Sequence, residues 1–376
     1  MRFLLKHKNN NAALLDINTI NGKIEHAEII NSRFLPFLGT ADVIKIRKWW
    51  QIRGITTRIK DYKELLAKKK CVTSEQYMIK NLALSVSDTY WLCPVENTPL
   101  TWEKVNVFQN NRYDPNSTLN ASSIAKWIKN DGVWKLYKED EHNGQESVNE
   151  EFARLLHSRQ GKVPFVSYNQ YFEKNKSGSM CRAFTSPEIE LISAYEVTLS
   201  TKQNNSMSDY EHFIRVCVEH GLDECYVRNV MDYMVLTDFL LTNVDRHYCN
   251  FGVLRDTTSM KIIVIAPLFD YGNSMFYAGG EKRTRSSLLE TAITGMAKTE
   301  EKMLKFVSDP KVVNLNVIPS PNDVLDFYMH SGISEEHAEM IAHNYQIKRD
   351  IVFDMQKGNK VSIYYEKRKK KHNKNI

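Results

Sequence analysis

The chain has 376 residues, 42% of them hydrophobic, which is enough apolar side chain to close two domains or one domain with a large extension. Its formal charge of +6 comes from the end of the chain. Lys367, Arg368, Lys369, Lys370, Lys371 and Lys374 follow the last acid, and the 51 bases less these six leave 45, matching the 45 acids. That balance argues against a nucleic-acid-binding body and leaves only the tail "KRKKKHNK", read as a disordered solubilising end, as an anionic contact.

The six cysteines, at 71, 93, 181, 217, 225 and 249, form no CxxC pair and no metal-ligand spacing with the eleven histidines, so they read as reduced thiols. The start "MRFLLKHKNNN" has three apolar residues in a row, and the longest later run is the eight-residue "IIVIAPLF" of 262–269. Neither a signal peptide nor a membrane span fits, and the expected location is cytoplasmic.

Along the first hundred residues, short strand-like pieces mix with the helical stretches "DVIKIRKWWQIRGI" and "DYKELLAKK" and lead to "LSVSDTYWLCP". The polar, turn-rich "NNRYDPNSTLNASS" of 110–123 marks a boundary, so residues 1–110 form an N-terminal accessory module. Next, "VWKLYKE" at 133–139 alternates as a strand does, and Val148, Phe152, Leu155 and Leu156 recur at helical spacing in "SVNEEFARLLHSR". "VPFVSYNQYFE" and "MCRAF" read as two strands separated by the turn "KNKSGS". Beyond about residue 187 the chain turns helical. Ser208 with Glu211 forms a capping box, Gly221 stops that helix, and "ECYVRNVMDYMVLTDFLL" forms the next. "FGVLRD" and "KIIVIAPLFDYG" pair as a hairpin, and later helices begin near Ser320-Pro321 and Ser334.

Between the long helix and that hairpin lies "NVDRHYCN". Phosphoryl transfer needs a carboxylate near the attacking hydroxyl and oxygen ligands for the magnesium that bridges the nucleotide phosphates. Asp245 and Asn250 stand five positions apart, the Asp-to-Asn separation of the kinase catalytic loop HRDxxxxN, and Asp270 follows at a strand end in "FDYG". The spacing alone is common by chance. A helix before the loop, a hairpin after it and an Asp-Tyr-Gly at the hairpin's end give it weight. His247 either holds the loop by hydrogen bonds or orients the Asp245 carboxylate.

These segments resemble the HipA-like serine/threonine kinases of bacteria, including the CtkA-type branch. The resemblance rests on "NVDRHYCNFGVL", "APLFDYG", "VWKLYKE" followed by "NEEFARLL", and "AFTSPEIELISAYEV", and covers about residues 115–350. It implies an α+β, bilobal protein-kinase-like fold with a small β-rich N-lobe (111–186) and a mainly helical C-lobe (187–366), besides the α/β accessory module and the tail 367–376. It also implies ATP and Mg2+ as cofactors, with Asp245 as the catalytic carboxylate and Asn250 and Asp270 as metal ligands. The family's phosphate-holding lysine falls on Lys135, with Lys138 on the opposite strand face, and its glutamate partner on Glu150.

"MCRAFTSP" becomes the hinge between lobes, with Ala183 and Phe184 near the adenine. The loop "STLNASSIAKW" lacks the glycine that a phosphate cradle favours, so either Ser122, Ser123 and Lys126 help by side chain or nucleotide binding is weak. The regulatory serine that the family carries in this loop makes Ser122 and Ser123 phosphorylation candidates, the alternative being two surface serines in a polar loop. Lys282, Arg283 and Arg285 could meet a substrate or a phosphoserine, or form a solvated basic loop. The implied partners are a protein substrate or the chain itself, with room for an antitoxin, no membrane, and nucleic acid only through the tail. Competing readings are a phosphoinositide or small-molecule kinase, whose "DRHxxN" order is similar, a catalytically weak toxin-like interaction module, and a DNA-bound toxin component.

Overall fold

A computed structural model of the protein describes residues 1–97, 100–121, 123–141, 144–173 and 176–366, so Ser122 and the basic tail lie outside the described residues. The chain gathers into two compact units. The first comprises Met1–Glu139, Met180–Asn204 and Gly252–Val264, the second Asp140–Ser179, Asn205–Phe251 and Ile265–Ile376.

In the first unit, β1 (Arg2–His7), β2 (Asn10–Ile17), β3 (Ile24–Ile29) and, later, β4 (Tyr90–Pro94) form an antiparallel sheet in the order β3-β2-β1-β4. Leu5 faces Ala13 on one side and Leu92 on the other, so the apolar residues of three strands share one core. Helix α1 (Val43–Arg53), capped by the Asp42 carboxylate accepting from the Lys45 amide at 2.7 Å, lays Ile46, Trp49 and Trp50 into that core. Two short helices follow, α2 (Tyr62–Lys68) and α3 (Ser74–Lys80), the second opened by a Thr73/Gln76 capping box. After β4, the one-turn α4 (Trp102–Val105) brings Trp102 to a second apolar cluster with Trp91 and Trp134.

Strands β5 (Ala125–Asn130) and β6 (Val133–Glu139) are joined by the two residues Asp131 and Gly132. Both have positive φ, 50° and 77°, the backbone that a tight two-residue hairpin demands. Helix α5 (Gln145–Gln160), β7 (Tyr168–Glu173) and β8 (Lys176–Arg182) come next, so the predicted strand, helix and two-strand order is present. The first unit also holds β9 (Ile189–Ser193), α6 (Ala194–Ser200) and the hairpin β10 (Gly252–Asp256) and β11 (Ile262–Ile265), with β10 in the middle of its sheet. Glycine is required at 252, since a Cβ there would lie 2.1 Å from the Ile192 carbonyl oxygen.

A buried polar cluster ties β9 and β10 to the N-terminal sheet within this unit. Glu190 is fully buried and accepts from His7 Nε2 at 2.9 Å, from Arg255 Nε at 2.8 Å, and from the Thr89 amide and hydroxyl at 3.1 Å each. Arg255 also donates to the Tyr90 hydroxyl at 3.0 Å. Burial works to raise the Glu190 carboxyl, but Arg255 and His7 hold it well below the usual carboxylate range. Its stabilisation is therefore complete above its unfolded value of 4.5 and is lost as pH falls. Arg255→Met leaves this carboxylate buried without its main counter-charge and is expected to lower stability by about 3–5 kcal/mol. Urea unfolding measures the loss, and a change under about 1 kcal/mol would show that the cluster contributes little.

In the second unit, α7 (Asp209–Glu219) begins at Ser208, whose side chain accepts from the Glu211 amide at 3.2 Å, and its chain reverses at Gly221 with φ 99°. Helix α8 (Glu224–Leu241) is buried along its whole C-terminal half, which explains why that half is mostly apolar. Short helices α9 (Arg285–Leu289) and α10 (Glu300–Leu304) precede α11 (Pro321–His330), which starts with a Ser320/Asp323 capping box, and α12 (Glu335–Gln356). Ser334 stands at the start of α12 as expected but makes no side-chain cap bond. Among the described residues no helix is long and apolar enough to cross a membrane.

Candidate active site

The site grows from the C-terminal end of α8. Thr242 takes a left-handed conformation, φ 50°, which ends the helix and lets the Asn243 amide return to the Asp238 carbonyl at 2.8 Å. The Asp238 carboxylate, buried among apolar residues, collects three further donors. Asn243 Nδ2 reaches it at 2.9 Å, and Arg246 reaches it with Nε and Nη2, both at 2.9 Å. This forked contact fixes the Arg246 guanidinium in its plane.

The remaining guanidinium nitrogen, Nη1, donates to the Asn250 carbonyl at 2.8 Å and also to the Phe269 carbonyl. One nitrogen thus clasps the backbone at Asn250 and the residue just before Asp270. The Tyr271 ring lies 4.6 Å from the same guanidinium, a cation–π contact. Burial opposes the charge on Arg246, yet Asp238 and its neighbours raise its pKa above the usual range, so it stays protonated.

Within the loop, the Asn250 amide donates to the His247 carbonyl at 2.8 Å and Asn250 Nδ2 to the Asp245 carbonyl at 3.0 Å. The Cys249 amide donates to His247 Nδ1 at 3.2 Å, so the ring acts as a turn-closing acceptor. Asp245 is oriented from another side: Asn273 Nδ2 donates to its Oδ2 at 3.0 Å, and the Val244 amide donates to the Asn273 carbonyl at 3.3 Å. Asp270 is half-buried with φ 65°, a left-handed conformation that an aspartate tolerates better than most side chains. Helix α5 buttresses the turn after it. Asn149 Nδ2 donates to the Gly272 and Ser274 carbonyls at 2.9 and 2.8 Å, while the Tyr328 hydroxyl holds its Oδ1 at 2.8 Å.

Asp245, His247, Asn250 and Asp270 therefore stand together in the second unit, with Glu150 on α5 in the same unit, 2% exposed and so not a solvated helix charge. Lys135, Ala183, Phe184 and Ser123 lie in the first. Lys135 sits mid-strand in β6 opposite Ile128 and is half-buried, as are Ser123 and Phe184, and the Ala183 amide donates to the Trp134 carbonyl at 2.9 Å. The basic segment after Asp-Tyr-Gly is engaged in ion pairs: Lys282 with Glu339 at 3.0 Å, and Arg285 with Asp354 at 2.6 Å and Glu366 at 3.2 Å. Arg283 Nη1 bonds the Thr291 hydroxyl at 3.3 Å.

Sequence reasoning passed over Arg246, Asp238, Asn273 and Asn149. A signal for the first two was present, since Asp238 is a lone acid in the apolar "MVLTDFLL" eight residues before Arg246, and a buried acid requires a partner.

No protein-family model matches the chain. A stretch of 115 residues is 33% identical to the serine/threonine-protein kinase CtkA of Helicobacter pylori, covering 27% of this chain and 33% of that protein. The match thus spans about a third of the curated relative. The crystal structure of the proinflammatory kinase CtkA from Helicobacter pylori aligns with 62% of this chain and 94% of its own, with a TM-score of 0.45 and 15% identity. A chain of the Shewanella oneidensis toxin–antitoxin complex of HipA, HipB and operator DNA aligns over 95% of this chain and 98% of its own, with a TM-score of 0.51 at 8% identity. The fold is like that of the HipA complex's chain. The α+β class expected from the sequence is the one observed. In this HipA-like fold the conspicuous "NVDRHYCN" segment forms the loop between α8 and β10.

Proposed function

We propose that this chain is an ATP- and magnesium-dependent serine/threonine protein kinase of HipA-like type that can phosphorylate itself. The observation that carries the reading is the Arg246 clasp, which joins the Asn250 and Phe269 carbonyls while Asn273 orients the Asp245 carboxylate. Asp245 would accept or orient the hydroxyl proton of the acceptor. The Asn250 amide oxygen and the Asp270 carboxylate are hard oxygen donors, the kind magnesium takes, and would hold the metal. Bound Mg·ATP would supply the transferable phosphoryl group and neutralise its charge. What the chain contributes is position and a fixed electrostatic frame.

Lys135 is the proposed phosphate-holding lysine and Glu150 its supporting acid. Ala183 and Phe184 would line the adenine, His247 would shape the catalytic loop, and Ser122 or Ser123 would take phosphate in regulation. Lys135→Ala is expected to abolish Mg·ATP binding in a calorimetric titration while Lys138→Ala binds nearly as the wild type does. The reverse ranking would assign the phosphate contact to the other strand face.

Residues 1–110 would be an accessory module, 111–186 the N-lobe and 187–366 the C-lobe. An antitoxin is a reasonable partner, since the HipA chain of similar fold was determined with HipB. The Asp-Arg-His order keeps a phosphoinositide or small-molecule kinase as the second reading. A screen of acceptors with labelled ATP separates the two. Label on serine or threonine of a protein supports the first, and label only on lipid or a small molecule supports the second.

A further inference from the structure

Between α9 and α10 the second unit makes a narrow turn over residues 291–299. Ala292 and Thr299 pair as an antiparallel bridge, the Ile293 amide donates to the Lys298 carbonyl at 3.2 Å, and the Glu300 amide donates to the Thr291 carbonyl at 3.1 Å. These cross-links give the turn a fixed shape. Its base is fastened at Glu300, which is buried at the start of α10 and accepts from Lys348 Nζ at 2.5 Å, and its tip is anchored by the buried Met296.

The tip lies on the loop that carries Asp245. The Thr294 amide donates to the Val244 carbonyl at 2.8 Å. The next residue, Gly295, comes so near that a Cβ on it would stand 3.1 Å from the Arg246 carbonyl oxygen, tighter than side chains ordinarily pack. Consecutive residues of the turn thus touch the two residues that flank Asp245, itself half-buried. A purely bracing contact would bury Thr294 as well, yet that residue is exposed. Its carbonyl and hydroxyl, and the Gly295 amide, bond no other described residue. Main-chain donors and acceptors take partners wherever they can. An extended polypeptide offers matching N–H and C=O groups, as when a strand adds to an open backbone edge. The open groups are peptide dipoles and one hydroxyl, a set that suits a peptide main chain better than a charged headgroup, which calls for arginine or lysine.

We propose that the 291–299 turn is the wall against which the phosphate acceptor lies, that this acceptor is an extended polypeptide segment pairing its main chain with the Thr294–Gly295 peptide, and that Thr294 is a specificity-determining residue. The inference rests on the kinase reading and narrows it, since a wall of this kind beside Asp245 selects proteins over phosphoinositides and small molecules. Its contribution is position. Main-chain bonds set the register of the acceptor and so bring a serine or threonine hydroxyl to the Asp245 carboxylate.

The test uses the full chain with labelled Mg·ATP and two sets of acceptors: a library of short serine-centred peptides, and free serine with inositol. The wild type should label the peptides and neither small molecule. Thr294→Tyr adds bulk at an exposed position and should raise the KM for the peptide library about tenfold, while the calorimetric Kd for Mg·ATP moves by less than about twofold. Thr294→Val removes only the hydroxyl and should raise the peptide KM about threefold. A peptide KM unchanged in Thr294→Tyr, with or without a fall in kcat, is what a bracing role predicts and overturns the proposal. Label only on free serine or inositol overturns it too, while leaving the chain a kinase. Label on no acceptor sinks the kinase reading and this inference together. Should Thr294→Tyr fail to fold, the nearly isosteric Thr294→Val decides by its peptide KM.

Discussion

Arg246→Met should destabilise the protein by about 3–5 kcal/mol and remove phosphoryl transfer from whatever fraction remains folded. The side chain is nearly volume-matched, so the cost is electrostatic rather than a cavity. Asp238 would keep the Asn243 donor but lose the fork that neutralises it, leaving a carboxylate buried with its counter-ion gone. At the same time the Asn250 and Phe269 carbonyls would lose the nitrogen they share, leaving the Asn273 bonds to Val244 and Asp245 to hold the loop against the turn after Asp270. Arg246→Lys keeps the charge but cannot fork onto Asp238 while reaching both carbonyls, and should recover only part of the loss. Urea unfolding and a transfer assay on the same preparations check this. A loss under about 1 kcal/mol with activity retained would show that the clasp is incidental.

The second large effect separates the two aspartates by role. Asp270→Asn removes a charge from the proposed metal site and should weaken Mg·ATP binding together with turnover. Asp245→Asn should leave Mg·ATP affinity nearly unchanged and cut turnover by several orders of magnitude, because an amide cannot accept the hydroxyl proton. Both substitutions are nearly isosteric, and the Asn273 bond to position 245 can still be made to the amide oxygen. Calorimetric titration with Mg·ATP beside a turnover assay reads both. Equal binding losses in the two variants would remove the distinction between metal ligand and acceptor-facing carboxylate.

Much of the architecture was legible because its signals are local. The alternation of "VWKLYKE" gave β6 over Val133–Glu139, and the Ser320-Pro321 pair gave the start of α11. The proposed site was assembled by order: a long apolar helix, a loop with Asp245 and Asn250, a hairpin, and Asp270 at its end, and the structure places these elements in that order. The reading missed what depends on tertiary closeness. Nothing in the local pattern says that Arg246 turns inward to Asp238 while His247 closes a turn onto Cys249, since adjacent residues in an irregular loop follow no fixed period. Asn273 and Asn149 were missed for the same reason, because an asparagine beside glycine or glutamate reads as a turn or helix-surface residue until the partner carbonyls are known. The Glu190–Arg255 pair was equally hidden, its members standing 65 positions apart. The partners of the basic loop were hidden on similar grounds, as Lys282 and Arg285 find their acids on α12 and beyond, more than fifty positions away.

The most direct measurement is one incubation of the full chain with labelled ATP and magnesium, followed by mass-spectrometric mapping of modified residues, in wild type and Asp245→Asn side by side. The wild type is expected to incorporate phosphate on serine or threonine, with the loop around Ser122 and Ser123 the first place to look, and Asp245→Asn to incorporate essentially none. Equal incorporation by the two chains would contradict the role given to Asp245 and, with it, the kinase mechanism.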